Sequence, residues 1–167
     1  NQEAHLSGDV EVHEKKNIKI YCQNLFEKDG YSRFNGNPKI EFSSENGNIV
    51  IEGTQMELNN NDSILLINNN TYILSDSIQG KCVNSKLNLK SEIICMTNNP
   101  VLWTENDQIS GDTIYIYAKN ELLDSIYIPS NSFIISKKTN DYYNQVKGNE
   151  LQGKFKKGKL HNIKLKG

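Results

Sequence analysis

Alanine is almost missing from this chain of 167 residues: Ala4 and Ala118 are the two it has. With Ile, Tyr, Thr, Ser and Asn in its place, the sequence is a poor helix former and a good former of strands and turns. Prolines number three, and no apolar run is long enough to cross a bilayer as a helix. A surplus of basic charge is also lacking: 19 Lys and Arg against 20 Asp and Glu leave a formal net charge of −1. That balance removes the electrostatic reason to expect nucleic acid as a partner. Cys22, Cys82 and Cys95 are odd in number, which excludes a complete disulfide framework. One pair plus a free thiol stays open, and three buried thiols in strands is the expectation. There is no CxxC, no Cys/His spacing and no Gly-rich phosphate loop, so neither a metal nor a cofactor is expected. His5, His13 and His161 stand near the two ends in polar contexts, without a nucleophile beside them, and no catalytic residue is expected.

What the chain does have is alternation. Polar and apolar residues take turns through Asp9–His13, Pro38–Phe42, Asn48–Glu52, Lys86–Lys90, Asp112–Tyr117 and His161–Lys166. Between such runs lie turn-forming clusters at 27–30, 44–48, 59–62, 98–100 and 156–159. The Asn runs 59–61 and 68–70 read as turns, because Asn tolerates left-handed backbone. No stretch shows helical spacing. The expected fold is therefore all-β and antiparallel, in a single domain over 1–167. A weak repeat runs through it: Asn17-Ile18, Asn48-Ile49, Ser77-Ile78 and Gln108-Ile109 place an Ile every 31, 29 and 31 residues. Asn37-Pro38 and Asn99-Pro100 echo it two units apart. About 30 residues holds two strands and two turns, which makes the expected unit one hairpin. Stacked hairpins give a solenoid-like jelly roll or an up-and-down barrel.

Two segments carry a more specific likeness. Asn99 to Ile114 contains an N-P-x-hydrophobic turn and then Gln108-Ile109-Ser110-Gly111-Asp112-Thr113-Ile114, the pattern Q-I-x-G-D-x-I. Tyr143 to Phe155 reads Q-V-x-G-x-x-L-x-G-x-F from Gln145 onward. Together with the alternation from Leu6 to the end, these resemble the OstA-like, or LptA-like, lipopolysaccharide-transport family of Bacteroidetes-type bacteria. The motifs are structural, made of turn residues and aliphatics. The resemblance implies an open antiparallel β-jellyroll, V-shaped in section, whose inner face shields lipid acyl chains while the sugars stay in water. It implies a non-enzymatic periplasmic module that bridges inner- and outer-membrane export components. Its partners would be lipopolysaccharide or a related glycolipid, and other jellyroll domains stacked edge to edge, with head-to-tail self-association as a further possibility. The chain opens on Asn1 rather than Met, as expected of a processed exported protein or of a trimmed boundary.

Acyl chains need a long, dry surface without directional demands, and an alternating strand supplies one on a single face. The inner-face candidates are Ile40, Phe42, Ile49, Ile51, Ile64, Leu66, Leu87, Leu89, Ile114, Ile116, Phe133 and Ile135. The same residues would line any closed sandwich or barrel core. Trp103, after its Pro-containing turn, would cap the groove's end or plug it. The triplets Asp62-Ser63-Ile64, Asp76-Ser77-Ile78, Asp112-Thr113-Ile114 and Asp124-Ser125-Ile126 read as turns handing over to strands. The lysines at 154, 156, 157, 159, 164 and 166 read as guards of a solvated edge strand, or as a docking patch. Two rival functions are a scaffold module with a closed core and a carbohydrate-binding jelly roll. The latter needs Tyr and carboxylates on its concave face. Exposed edges are expected at Val10–Val12 and Ile163–Leu165.

Overall fold

A computed structural model describes residues 3–15, 17–44, 47–119, 122–139, 142–156 and 159–167. Asn1, Lys157 and the centres of the turns expected at 44–48 and 156–159 lie outside the described residues. Within them the chain is all-β, an open antiparallel jellyroll of 19 strands numbered in chain order. A long hairpin of β1 (Glu3–Lys15) and β2 (Ile18–Lys28) begins it. β2 then forks. Its first half, Ile18 to Tyr21, pairs with β4 (Lys39–Ser44), and its second, Asn24 to Lys28, pairs with β3 (Tyr31–Asn35). Two walls grow from that fork. The first continues from β4 through β5 (Gly47–Glu52), β8 (Thr71–Ser75), β9 (Gln79–Cys82), β12 (Val101–Trp103), β13 (Asp107–Ser110) and β16 (Ser132–Thr139) to β17 (Tyr142–Gly148). The second runs from β3 through β6 (Gln55–Asn59), β7 (Ile64–Asn68), β10 (Asn84–Asn88), β11 (Ile93–Thr97), β14 (Thr113–Lys119), β15 (Leu122–Ile128) and β18 (Glu150–Lys156) to β19 (Lys159–Lys166).

The chain lays one hairpin in the second wall, crosses, lays one in the first and crosses back. The crossings form a closed spine, and the hairpin tips of both walls face each other at an open mouth. Central strands are only three to five residues long, so 30 residues hold four strands and not two. The repeat unit is therefore two hairpins, one per wall, which corrects the single-hairpin unit. Its phase was well marked nonetheless. Ile18, Ile49, Ile78 and Ile109 all sit in the first wall, at successive strands or just before them, and all are buried.

The two kinds of crossing differ for steric reasons. From second wall to first the chain turns through Gly36-Asn37-Pro38, Asn69-Asn70, Asn98-Asn99-Pro100 and Ser130-Asn131. Asn37, Asn69, Asn70, Asn98, Asn99 and Asn131 there have φ between 52° and 60°. Asn takes this left-handed region at less cost than most side chains. The return crossing is tight. Gly53, Gly111 and Gly148 occupy one position of it, with Cys82 in the corresponding place. A Cβ on Gly111 would stand 2.4 Å from Ile128 Cγ2. The two family-like motifs, Q-I-x-G-D-x-I and Q-V-x-G-x-x-L, are both such return crossings, from β13 to β14 and from β17 to β18. In the first, Asp112 accepts bonds from Ser130 Oγ (2.8 Å) and Asn131 Nδ2 (2.7 Å), pinning the neighbouring crossing to its own.

One core runs from Ile18 to Leu151 between the walls, and it is aliphatic. Buried Thr71, Ser85 and Ser132 interrupt it near the spine, each with a partner: Ser85 Oγ to Thr71 Oγ1 at 3.3 Å, and Ser132 Oγ to the Gly148 carbonyl at 3.0 Å. Cys22 and Cys82 are buried in strands as expected, whereas Cys95 lies half-buried, on the opposite face of β11 from Ile94 and Met96. Three Asp-Ser/Thr-Ile triplets mark turns or strand starts. The fourth, at Asp124, lies inside β15.

Candidate functional site

The mouth of the jellyroll holds an apolar cleft of about 250 Å³ between the tips of the two walls. Ile18, Phe42 and Ile49 supply one side from β2, β4 and β5. Leu87, Leu89, Ile94 and Ala118 supply the other from the tips of the β10–β11 and β14–β15 hairpins. Asn17, Asn88 and Glu92 form its polar rim. The tip that carries Leu89 is fixed by local bonds: Asn88 Oδ1 accepts from the backbone N–H of Lys90 (2.9 Å) and of Ser91 (3.0 Å). The preceding tip in that wall repeats the device with Asn59 Oδ1 and the N–H of Asn61 at 3.0 Å. Lys90 Nζ reaches across to the Asn61 carbonyl at 3.3 Å and ties the two tips together.

The twelve residues proposed from sequence divide into three groups. Phe42, Ile49, Leu87 and Leu89 line the cleft. Ile40, Ile51, Ile114 and Ile116 face the same interior but lie deeper, at 0 % exposure, in close-packed core. Ile64, Leu66, Phe133 and Ile135 are on the other face, contrary to the inner-face expectation. Leu66 pairs between Glu57 and Lys86, Phe133 between Ser110 and Lys147, and Ile135 between Gln108 and Gln145. In each of these strands the apolar run is continuous, Ile64-Leu65-Leu66-Ile67 and Phe133-Ile134-Ile135, so alternation gives no parity. Pairing with Leu58 and Leu87 on one side, and with Ile109 on the other, turns Leu65, Ile67 and Ile134 inward. The cleft also includes residues the candidates omit. Ile18 was marked by the repeat, but Ile94 sits in another unbroken apolar run, and Ala118 follows a register shift after Tyr117.

Beyond the cleft, the mouth becomes polar. Ile49 pairs with Ser75, so the next hairpin of the first wall continues directly from the cleft. A second cavity of about 680 Å³ lies there, between the β8–β9 and β12–β13 tips and the start of β19. Lys159 Nζ spans the mouth to Glu105 at 2.8 Å. That contact lowers the Glu105 pKa and raises that of Lys159, each through the shared hydrogen bond first and the Coulomb attraction second. Trp103 neither caps nor plugs the interior. It alternates with buried Leu102 and projects from the other face, with its Nε1 donating to Gln108 Oε1 at 3.0 Å.

The concave face is thus aliphatic. Tyr115 and Tyr127 stack on the outer face at 6.2 Å between centroids, and Tyr142 and Tyr143 lie exposed on β17. His5, His13 and His161 are exposed. Among the described residues, no three His, Cys, Asp or Glu gather as metal ligands. Among the described residues β1 pairs only with β2, β17 only with β16 and β19 only with β18, so edges are unpaired at both ends of the walls. On β19, Lys166 is held by Glu150 at 2.9 Å.

Residues 1–122 match the family described as LptA/(LptD N-terminal domain) LPS transport protein. No curated protein matches the chain.

Proposed function

This chain belongs to the LptA/(LptD N-terminal domain) family of LPS transport proteins, and from that premise we propose that it carries the acyl chains of lipopolysaccharide, or a related glycolipid, through the mouth between its walls. The observation that carries this reading is the apolar cleft at the mouth, lined from both walls and backed by an aliphatic core. Each methylene withdrawn from water there contributes about 0.8 kcal/mol, with no need for directional bonds. Ile40, Ile51, Ile114 and Ile116 form the floor on which lipid rests. Deeper entry requires the walls to part.

The whole chain, 1–167, acts as one module of an envelope bridge, located in the periplasm. The unpaired edges of β1 at one end, and of β17 and β19 at the other, suit strand addition by neighbouring jellyroll domains or by further copies of the chain. Such a role needs no catalytic group and no cofactor.

Site-specific photo-crosslinking tests the proposal. Photoreactive residues at Phe42, Ile49, Leu87 and Leu89 should give lipopolysaccharide adducts, whereas Glu41, Glu52 and Tyr115 should give none. Absence of adducts at all seven positions would leave a closed core, and the scaffold reading would replace this one.

A further inference from the structure

The later strands of the second wall carry charge of one sign. β10, β11, β14, β15, β18 and β19 hold seven lysines against two carboxylates, in a chain whose net charge is −1. Four of those lysines stand on the outer face. Lys86 lies between buried Ser85 and Leu87, and Lys154 follows buried Gly153. Register sets Lys164 beside outward Gln152, and Lys166 beside Glu150. We propose that this face is a docking surface for an anionic phospholipid bilayer. The inference goes beyond the carried lipid and does not depend on it.

Three observations support a bilayer. First, the positive charge is not neutralised locally. Among the described residues, Lys86, Lys154 and Lys164 take part in no ion pair. Of the two carboxylates, Glu150 is held by Lys166 at 2.9 Å, and Asp124 accepts from Ser125 Oγ at 2.8 Å.

Second, the lysines are not confined to an edge. Residues that only guarded the unpaired strand would stand on β19, whereas Lys86 lies five strands in from it. At about 4.8 Å between strands, the row from Lys86 to Lys164 runs about 24 Å. Lysine stems are long and flexible, so a flat array of them meets a plane of head groups without needing a shaped partner.

Third, tyrosines stand between the lysines. Tyr115 and Tyr127 lie in that row, and Tyr117 lies one level nearer the hairpin tips. Tyrosine favours the bilayer interface, where its ring is apolar and its hydroxyl stays wet. A shallow cavity of about 330 Å³ opens here among Tyr117, Tyr127, Gln152 and Lys154. Phenol, amide and ammonium all donate, which suits the phosphate of a lipid head group.

Co-sedimentation of the whole chain with vesicles free of lipopolysaccharide tests the surface. Binding is expected to vesicles of phosphatidylglycerol with phosphatidylethanolamine, to weaken as salt is added, and to be absent on phosphatidylcholine alone. Each lysine near an anionic surface contributes roughly a fivefold factor, so joint substitution of Lys86→Gln, Lys154→Gln and Lys164→Gln should weaken binding about 100-fold. Lys81→Gln, Lys137→Gln and Lys147→Gln remove the same charge from the first wall, and that variant should stay within about fivefold of the unmodified protein. Equal binding to both kinds of vesicle, or to neither, overturns the proposal. Equal losses in the two triple variants overturn it too, because net charge and not this face then governs binding. Since no lipopolysaccharide is present, failure here leaves the lipid adducts at Leu89 unaffected. Absence of those adducts, with vesicle binding intact, removes the carried lipid and leaves the docking surface.

Discussion

At the scale of single residues, the return crossings are where this chain has least freedom. Gly111 lies with Ile128 Cγ2 2.4 Å and the Ser130 carbonyl 3.1 Å from where a Cβ would be. One of those neighbours is backbone and cannot step aside cheaply. Gly111→Ala is expected to cost about 1–3 kcal/mol in urea unfolding, the range for overpacking a well-filled site. Cys82 occupies the corresponding place one turn earlier, and burial pushes its thiol pKa from 9.0 up to about 11. Since only the thiolate is nucleophilic, Cys82 in the folded protein should resist alkylation at pH 8, while partly exposed Cys95 reacts first. Mass spectrometry after brief iodoacetamide treatment would decide it, and early labelling of Cys82 would show that the spine opens. The sign of the stability effect follows. The buried neutral thiol keeps its proton when the unfolded chain has lost it, so this contribution is intact below about pH 9 and declines as pH rises towards 11.

At the scale of the strand, the question is which face points inward. β4, β5 and β14 alternate cleanly, and Ile40, Ile51, Ile114 and Ile116 were legible from that pattern alone. β7 and β16 carry three or four apolar residues in succession, so period-two reading has no phase to find. Only the neighbours' register assigns it. The measurable consequence is a pair of opposite outcomes one residue apart. Leu65→Ala should lose about 2–5 kcal/mol, as buried leucines do, while Leu66→Lys, flanked by Glu57 and Lys86, should change stability by no more than about 0.5 kcal/mol. Equal losses at both positions in chemical denaturation would mean that the register of β7 is wrong.

At the scale of the whole molecule, the ends matter most. The edge at β1 differs from the edges at β17 and β19, so the head-to-tail stacking proposed above would join unlike surfaces. Unlike surfaces that do not close a ring produce open chains. Sedimentation should therefore give an average mass that keeps rising with concentration, and not a dimer plateau. A strictly monomeric protein at high concentration would count against stacking. The lysines of β19 temper that edge, and Lys166 is further occupied by Glu150.

The sequence by itself determined the all-β class, the spacing of the turns, the Asn-rich crossings and a repeat whose isoleucines fall at successive levels of one wall. These are local matters: side-chain periodicity and the steric tolerance of Asn and Gly act within a few residues. Tertiary structure decided the rest. That the repeat is two hairpins, that Leu65 and not Leu66 faces inward, and that Leu87 and Leu89 meet Phe42 and Ile49 across a mouth are facts about partners on other strands, up to about 50 residues away. The Lys159–Glu105 bridge across the mouth is of the same kind. A cleft is a gap between two walls, and a gap arises where facing side chains fail to meet, which no single strand's sequence contains.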